Sequence, residues 1–193
     1  MNSTAMVIEM HRRGRSIDAI LFADTGGEKP ETYAHREAFS AWCVEHGLPA
    51  IVTVANDGMY VTLERNCLAK QMLPSIAYGF KSCSDKYKRR PQEKWAQSWQ
   101  PALDCWARGE KVTKAIGYDA GENHRAKIPE DRFYHYTYPL VEWDLGREDC
   151  IATIRAAGLA VPGKSACFFC PSSKKREVLD LAERHPDLFD RAV

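Results

Sequence analysis

The chain has 193 residues, 45% of them hydrophobic, and a formal net charge of +1. That length buries one substantial core and predicts a single domain over 1–193, while the near-neutral charge excludes a global field drawing the chain to DNA, RNA or an anionic membrane. No run reaches the roughly eighteen apolar residues of a spanning helix, and the first residues lack the order of a signal peptide, so a cytoplasmic protein is expected. Seven cysteines, an odd number, then argue against a disulfide framework and leave metal binding, redox chemistry or plain burial.

In chain order, "STAMVIEMHRRG" predicts a first helix with Ser3 or Thr4 as its cap and Gly14 as its stop. "DAILFAD" at 18–24 is a nearly continuous apolar run, the mark of a parallel strand covered on both faces. A helix over 30–46, stopped by Gly47, and a strand at 50–55 follow. The middle predicts a helix over 62–72, a loop rich in Lys and Arg over 81–91, and a tryptophan-bearing helix over 92–107. "KAIGYDA" at 114–120 is a third strand; "YHYTYPLV" is a fourth strand or an extended connection, and helices over 146–157, 174–184 and 186–193 end the chain. Strands alternating with helices predict βαβ units and a mostly parallel, doubly wound α/β sheet.

In such a sheet ligands gather beyond the carboxyl ends of the strands, where helix N-termini present free N–H groups. Asp24, Thr25, Gly26 and Gly27 fall at one such end, with Glu31 and Thr32 in the first turn of the next helix. Read locally, they line a ligand site or simply cap a helix. The stretch Asp-Thr-Gly, three residues, Pro-Glu-Thr resembles an element of the phosphoadenosine phosphosulfate (PAPS) reductase family, within the PP-loop or adenine nucleotide alpha hydrolase-like superfamily. The resemblance implies a Rossmann-like fold and places Asp24, Thr25, Gly26 and Glu31 beside a bound adenine nucleotide.

That family's main phosphate loop reads Ser-Gly-Gly, a variable residue, then Asp-Ser-Thr, between the first strand and first helix. "MNSTAM" is similar to its tail: Asn2 stands where the family usually has Asp, and Ser3 and Thr4 stand in the hydroxyl positions. The Ser-Gly-Gly and its strand are missing, and the chain is expected to be truncated at both ends.

"KSCSDKYKRRP" resembles a family stretch of Cys, then Lys and Arg-Pro, that helps bind the anionic nucleotide; this gives Lys88, Arg89 and Arg90 that role, against the plainer reading of a solvated loop. "AIGYDAGENHR" is similar to the third strand end and adds Gly117, Asp119, Glu122 and Arg125, with Tyr118 where the family commonly has Arg. His124 is an acid–base candidate or a solvent-exposed loop residue.

Cys167 and Cys170 stand two residues apart before a proline and a helix. They are metal ligands, a redox dithiol or structural thiols. The resemblance to the family's iron–sulfur branch adds Cys83, with iron–sulfur and zinc both open; Cys43, Cys67, Cys105 and Cys150 are expected in helix cores. The Glu-Cys-Gly element of thioredoxin-dependent PAPS reductases is absent from the sequence. The resemblance therefore implies an adenine-nucleotide-binding protein of sulfur or sulfonucleotide metabolism, an oxidoreductase or transferase using PAPS. Its rivals are an ATP pyrophosphatase that adenylates a substrate with magnesium, as in nucleic-acid thiolation with a nucleic acid or thiol carrier as acceptor, and an inactive nucleotide-binding remnant.

Overall fold

The computed structural model describes residues 1–75 and 81–193. It is a mixed α/β fold in which helices dominate and the strands are short. In chain order it runs α1 (Asn2–Arg12), β1 (Ile20–Asp24), α2 (Pro30–Glu45), β2 (Ile51–Ala55), α3 (Leu63–Lys70) and α4 (Ser82–Ser84). A π-helical turn (Asp85–Arg89) leads into α5 (Arg90–Ala96), followed by α6 (Gln100–Ala107) and β3 (Val112–Ala115). A 3₁₀ helix (Ala120–Arg125), β4 (Tyr134–Thr137), α7 (Pro139–Glu142), α8 (Arg147–Ala156), α9 (Lys175–Arg184) and α10 (Pro186–Ala192) complete it. Among the described residues no helix is long and apolar enough to cross a membrane.

The described strands form two pairs: β1 lies beside β2, and β3 runs parallel to β4 with Val112 opposite Tyr134 and Ala115 opposite Thr137. The third strand falls a few residues before its expected position. "KAIGYDA" leaves the ladder at Ile116, whose N–H donates to the Thr137 carbonyl at 2.9 Å, and the extended Asp119 stands at the cap position of the 3₁₀ helix that follows. "YHYTYPLV" splits at Pro139, which cannot donate to a ladder but fits the first turn of α7.

The expected loop over 81–91 is helical. Its charges pair one turn apart, Asp85 with Arg89 and Arg89 with Glu93, which supports a helix instead of melting it. Pro91 lacks the N–H an uninterrupted α-helix requires, and the wider π turn directly before it, closed by the Arg90 N–H to the Asp85 carbonyl, falls where helices absorb such a defect. The expected helix over 92–107 is two helices, α5 and α6, because Pro101 starts a new one.

The chain divides into two compact units. The first comprises Met1–Ile20, Ala34–Ile51 and Ala96–Lys164. Its core joins Ala5, Val7 and Ile8 of α1 to Phe39, Trp42 and Cys43 of α2, Leu140 of α7, and Cys150 and Ile154 of α8. Ile8, Leu140 and Ile154 are wholly buried, each worth about 1.5–3 kcal/mol relative to exposure. Where α1 meets α8, the Thr153 hydroxyl donates to Glu9 at 2.9 Å, so the polar edge of the contact is satisfied. Gly14 ends the α1 segment at φ +65°, a conformation that favours glycine.

The second unit comprises Leu21–Tyr33, Val52–Trp95 and Ser165–Val193. Leu63 and Cys67 of α3, Tyr87 of the π turn, Cys167, Phe168 and Phe169 of the segment before α9, Leu181 of α9 and Leu188 of α10 form its core. Arg191 of α10 clasps the Glu64 carboxylate of α3 through both oxygens at 2.7 Å.

Candidate functional site

In the second unit, β1 empties into the Asp24–Gly27 turn. The Asp24 carboxylate accepts from the Gly26 N–H at 2.7 Å and from the Tyr33 hydroxyl at 2.8 Å. Burial, then the bond to that carboxylate, push the Tyr33 hydroxyl well above its ordinary pKa. Gly26 sits at φ +68°, and a Cβ there would lie 2.3 Å from the Thr62 methyl, so both backbone and space demand glycine. Thr25 is buried; its carbonyl accepts from the Leu63 N–H at 2.8 Å, and its hydroxyl meets the Gly27 N–H at 3.3 Å and the Cys167 sulfur at 3.1 Å. Asp24 and Thr25 thus hold the turn together. Glu31 pairs with His185 of the same unit at 2.8 Å; burial opposes its ionisation, but the His185 bond holds its carboxyl below the usual range.

Glu28, which sequence reading passed over, is the most deeply placed charge of the unit, with 0% of its side chain exposed. Lys88 donates to one of its oxygens at 3.1 Å and the Ser165 hydroxyl to the other at 3.2 Å. Lys88 therefore neutralises a buried carboxylate. Arg89 pairs with Asp85 and Glu93, and Arg90 donates to Asp85 at 2.8 Å. Despite some burial, those two guanidinium groups keep the Asp85 carboxyl below its ordinary pKa. Removing one partner of a buried pair strands the other. Because 40% of the Lys88 side chain is exposed and water can reach the gap, Lys88→Met is expected to lose about 2–3 kcal/mol in urea unfolding, at or below the low end for buried pairs. Lys88→Arg should recover most of it.

Structure and sequence meet differently at the cysteines. All seven are free. Cys43 and Cys150 are in the first unit's core, as expected, and Cys105 is half-buried on α6. Cys67 joins Cys83, Cys167 and Cys170 in the apolar cluster of the second unit, although the four are scattered over a hundred residues of sequence. Among the described residues, no group of three or more His, Cys, Asp or Glu is arranged to hold a metal ion. Burial pushes the Cys167 thiol up to about 11 against the opposing pull of the Thr25 bond, so it is protonated at neutral pH. A metal ligand must be a thiolate free to turn to the ion, and Cys167 as placed fits that requirement poorly.

In the first unit, the start of α1 meets the segment after β3. The Asn2 amide donates to Asp119 at 2.9 Å and to Glu122 at 3.0 Å, across 117 and 120 residues of sequence. The Asn2 side-chain oxygen, Oδ1, is buried with no hydrogen-bond partner among the described residues. Gly117 presses on the same helix end: a Cβ there would lie 2.8 Å from both the nitrogen and the Cα of Ser3. Asp119 is buried, whereas Ser3 is exposed. Arg125 pairs with Glu122 and lies 4.3 Å over the Tyr118 ring, which stacks on Tyr138 at 5.9 Å.

Neither Ser3 nor Thr4 caps α1; both are inside it, after Met1 at the cap position, which makes no side-chain cap bond. The Thr4 hydroxyl, buried, instead bonds His35 Nε2 at 3.0 Å. Burial keeps His35 below its ordinary pKa, and its ring stacks on Phe39 at 6.0 Å. His35 carried no sequence signal beyond its place in a helix. His124 is exposed at the end of the 3₁₀ helix.

The structure therefore brings together Asn2, Ser3, Gly117, Asp119 and Arg125 in one unit, and Asp24, Thr25, Gly26, Lys88 and Cys167 in the other. Compared with known proteins, the chain matches no family model, no curated protein and no solved structure.

Proposed function

We propose that the protein binds an adenine nucleotide in the manner of PAPS reductase-like proteins and acts in sulfur or sulfonucleotide metabolism, on a doubly wound PP-loop fold. The observation that supports it most is the meeting of Asn2 and Ser3 with Gly117 and Asp119. Two motifs that the family resemblance assigns to one site, far apart in sequence, lie within hydrogen-bond distance. Gly117 leaves no side chain over the start of α1, whose unpaired N–H groups favour anionic oxygens. The exposed Ser3 hydroxyl adds a donor there, and Arg125 a positive charge. In the second unit the reading gives nucleotide contact to the Asp24–Gly26 turn.

A second reading, an ATP pyrophosphatase, draws on Asp119 and Glu122, whose carboxylates converge on one amide nitrogen. Magnesium binds through one or two carboxylates and the nucleotide's own phosphates while keeping several waters, so this pair suits it.

Calorimetric titration of the protein with PAPS, and with ATP plus magnesium, tests the proposal. Saturable one-to-one binding is expected, weakened about tenfold in Ser3→Ala, the effect of losing one hydrogen bond to a charged group. Pyrophosphate release from ATP in the presence of a thiol-carrier or RNA acceptor would select the second reading. Absence of binding to either nucleotide, or indifference to Ser3→Ala, would overturn the nucleotide site.

A further inference from the structure

The segment Ser165–Cys170 and the β1 turn, more than 130 residues apart in sequence, are bonded to one another along their length. The Ser165 hydroxyl donates to Glu28, Glu28 and Cys167 form an isolated antiparallel bridge, and the Phe168 N–H donates to the Gly27 carbonyl at 2.9 Å. Phe169 covers Gly27 so closely that a Cβ there would lie 2.7 Å from its ring. At the centre, the Cys167 sulfur meets the Thr25 hydroxyl at 3.1 Å, with either atom able to donate, and that hydroxyl meets the Gly27 N–H.

We propose that Cys167 is a positioning residue of this turn: its thiol holds the Thr25 hydroxyl in place, Thr25 holds the Gly27 amide, and the Cys-x-x-Cys segment thereby clamps the strand-end loop instead of ligating a metal. Thr25 is buried and Cys167 is 9% exposed, so each is the other's available partner in an apolar surround where an unmade bond is costly. The thiol acts through Thr25 and need not touch a ligand. The inference rests on the nucleotide reading only in giving the clamped turn a ligand to receive.

The test compares Cys167→Ala, Cys167→Ser, Thr25→Val, Thr25→Ser and the Cys167→Ala/Thr25→Val double variant. Hydrogen exchange across residues 24–28 is followed without ligand, affinity for PAPS and for ATP with magnesium is titrated, and zinc and iron are measured in each purified protein. Cys167→Ala is expected to exchange about tenfold faster in the turn, the loss of one buried hydrogen bond, and Thr25→Val, which loses the hydroxyl's bonds to both Cys167 and Gly27, at least as fast. The serine variants, which keep a bonding hydroxyl, should remain within about threefold of wild type, and the double variant should be no worse than the worse single one, as for two members of one interaction. Nucleotide affinity should follow the same order.

If Cys167→Ser is as impaired as Cys167→Ala and both lose a metal that wild type carries, Cys167 is a ligand with Cys83 and Cys170 and the proposal falls. It also falls if all variants exchange alike. If Cys167→Ala does not fold, the Thr25 pair decides by the same criteria. If wild type binds no nucleotide while the exchange pattern holds, the nucleotide reading fails and the clamp stands.

Discussion

Gly117→Ala is expected to destabilise the first unit by about 3 kcal/mol or more, at or beyond the upper end of ordinary overpacking. The reason is what the new methyl would meet. It would lie 2.8 Å from the nitrogen and the Cα of Ser3, backbone atoms of a helix whose next residues, Thr4 to Ile8, are all buried in the core. A side chain in the way can rotate; a helix end anchored by five consecutive buried residues must translate as a body or tilt. Either movement pulls the Asn2 amide away from Asp119 and Glu122 and leaves two carboxylates facing each other, one of them buried, without their common donor. Gly163→Ala, in the same unit, is the control, since a methyl there meets nothing within 4 Å; it should change stability by less than about 0.5 kcal/mol, the usual range for open surface sites. Urea unfolding of the three proteins side by side measures both. Equal midpoints for Gly117→Ala and wild type would show that the contact between α1 and the post-β3 segment is not made in solution.

The ends of the chain were legible in sequence because their signals are local. The apolar run of β1, the helical spacing of Phe39, Trp42 and Cys43 in α2, and the helices from α8 to α10 follow from periodicity, stop residues and proline, and the observed bounds fall within a few residues of expectation. The basic segment was misread because charge density and a proline imitate a loop. What decides its conformation is that Asp85, Arg89 and Glu93 stand four residues apart in sequence and pair, a pattern visible only when signs as well as charges are followed. Partners of Thr25 and Glu28 were out of reach for a different reason. Cys167 and Ser165 lie 142 and 137 residues away, and no periodicity links residues across such a separation. For Asn2 and Asp119 the expectation came from the resemblance and not from periodicity, and the structure bonds their side chains at 2.9 Å. The resemblance had nothing to say of His35, which the structure alone supplied, whereas Cys67 is buried on α3 as its helical setting suggested.

Alkaline unfolding should be steep and should be driven by buried thiols. Cys43, Cys150 and Cys167 are all within 9% of full burial, and burial pushes each from an ordinary pKa near 9.0 up to about 11. The raised value belongs to the folded state, so between pH 9 and 11 the folded chain holds more protons than the unfolded one and stability falls as pH rises. The contribution is present in full below pH 9 and is lost by the time pH passes 11. At about 1.4 kcal/mol for each unit of separation, a thiol so placed contributes on the order of 3 kcal/mol, and three together rival a typical total of about 5–15 kcal/mol. Tyr33 reinforces the trend at the upper end, since burial and Asp24 also hold its hydroxyl protonated. Urea midpoints taken from pH 8 to 10.5 should therefore decline sharply in wild type. In a Cys43→Ala/Cys150→Ala protein the starting stability is lower, because two small cavities replace the sulfurs, but its decline should be clearly shallower, with Cys167, Cys67 and Tyr33 still titrating from raised values. Parallel declines for the two proteins would mean that the thiols ionise in the folded chain as readily as in water, which their enclosure between α1, α2 and α8 does not permit.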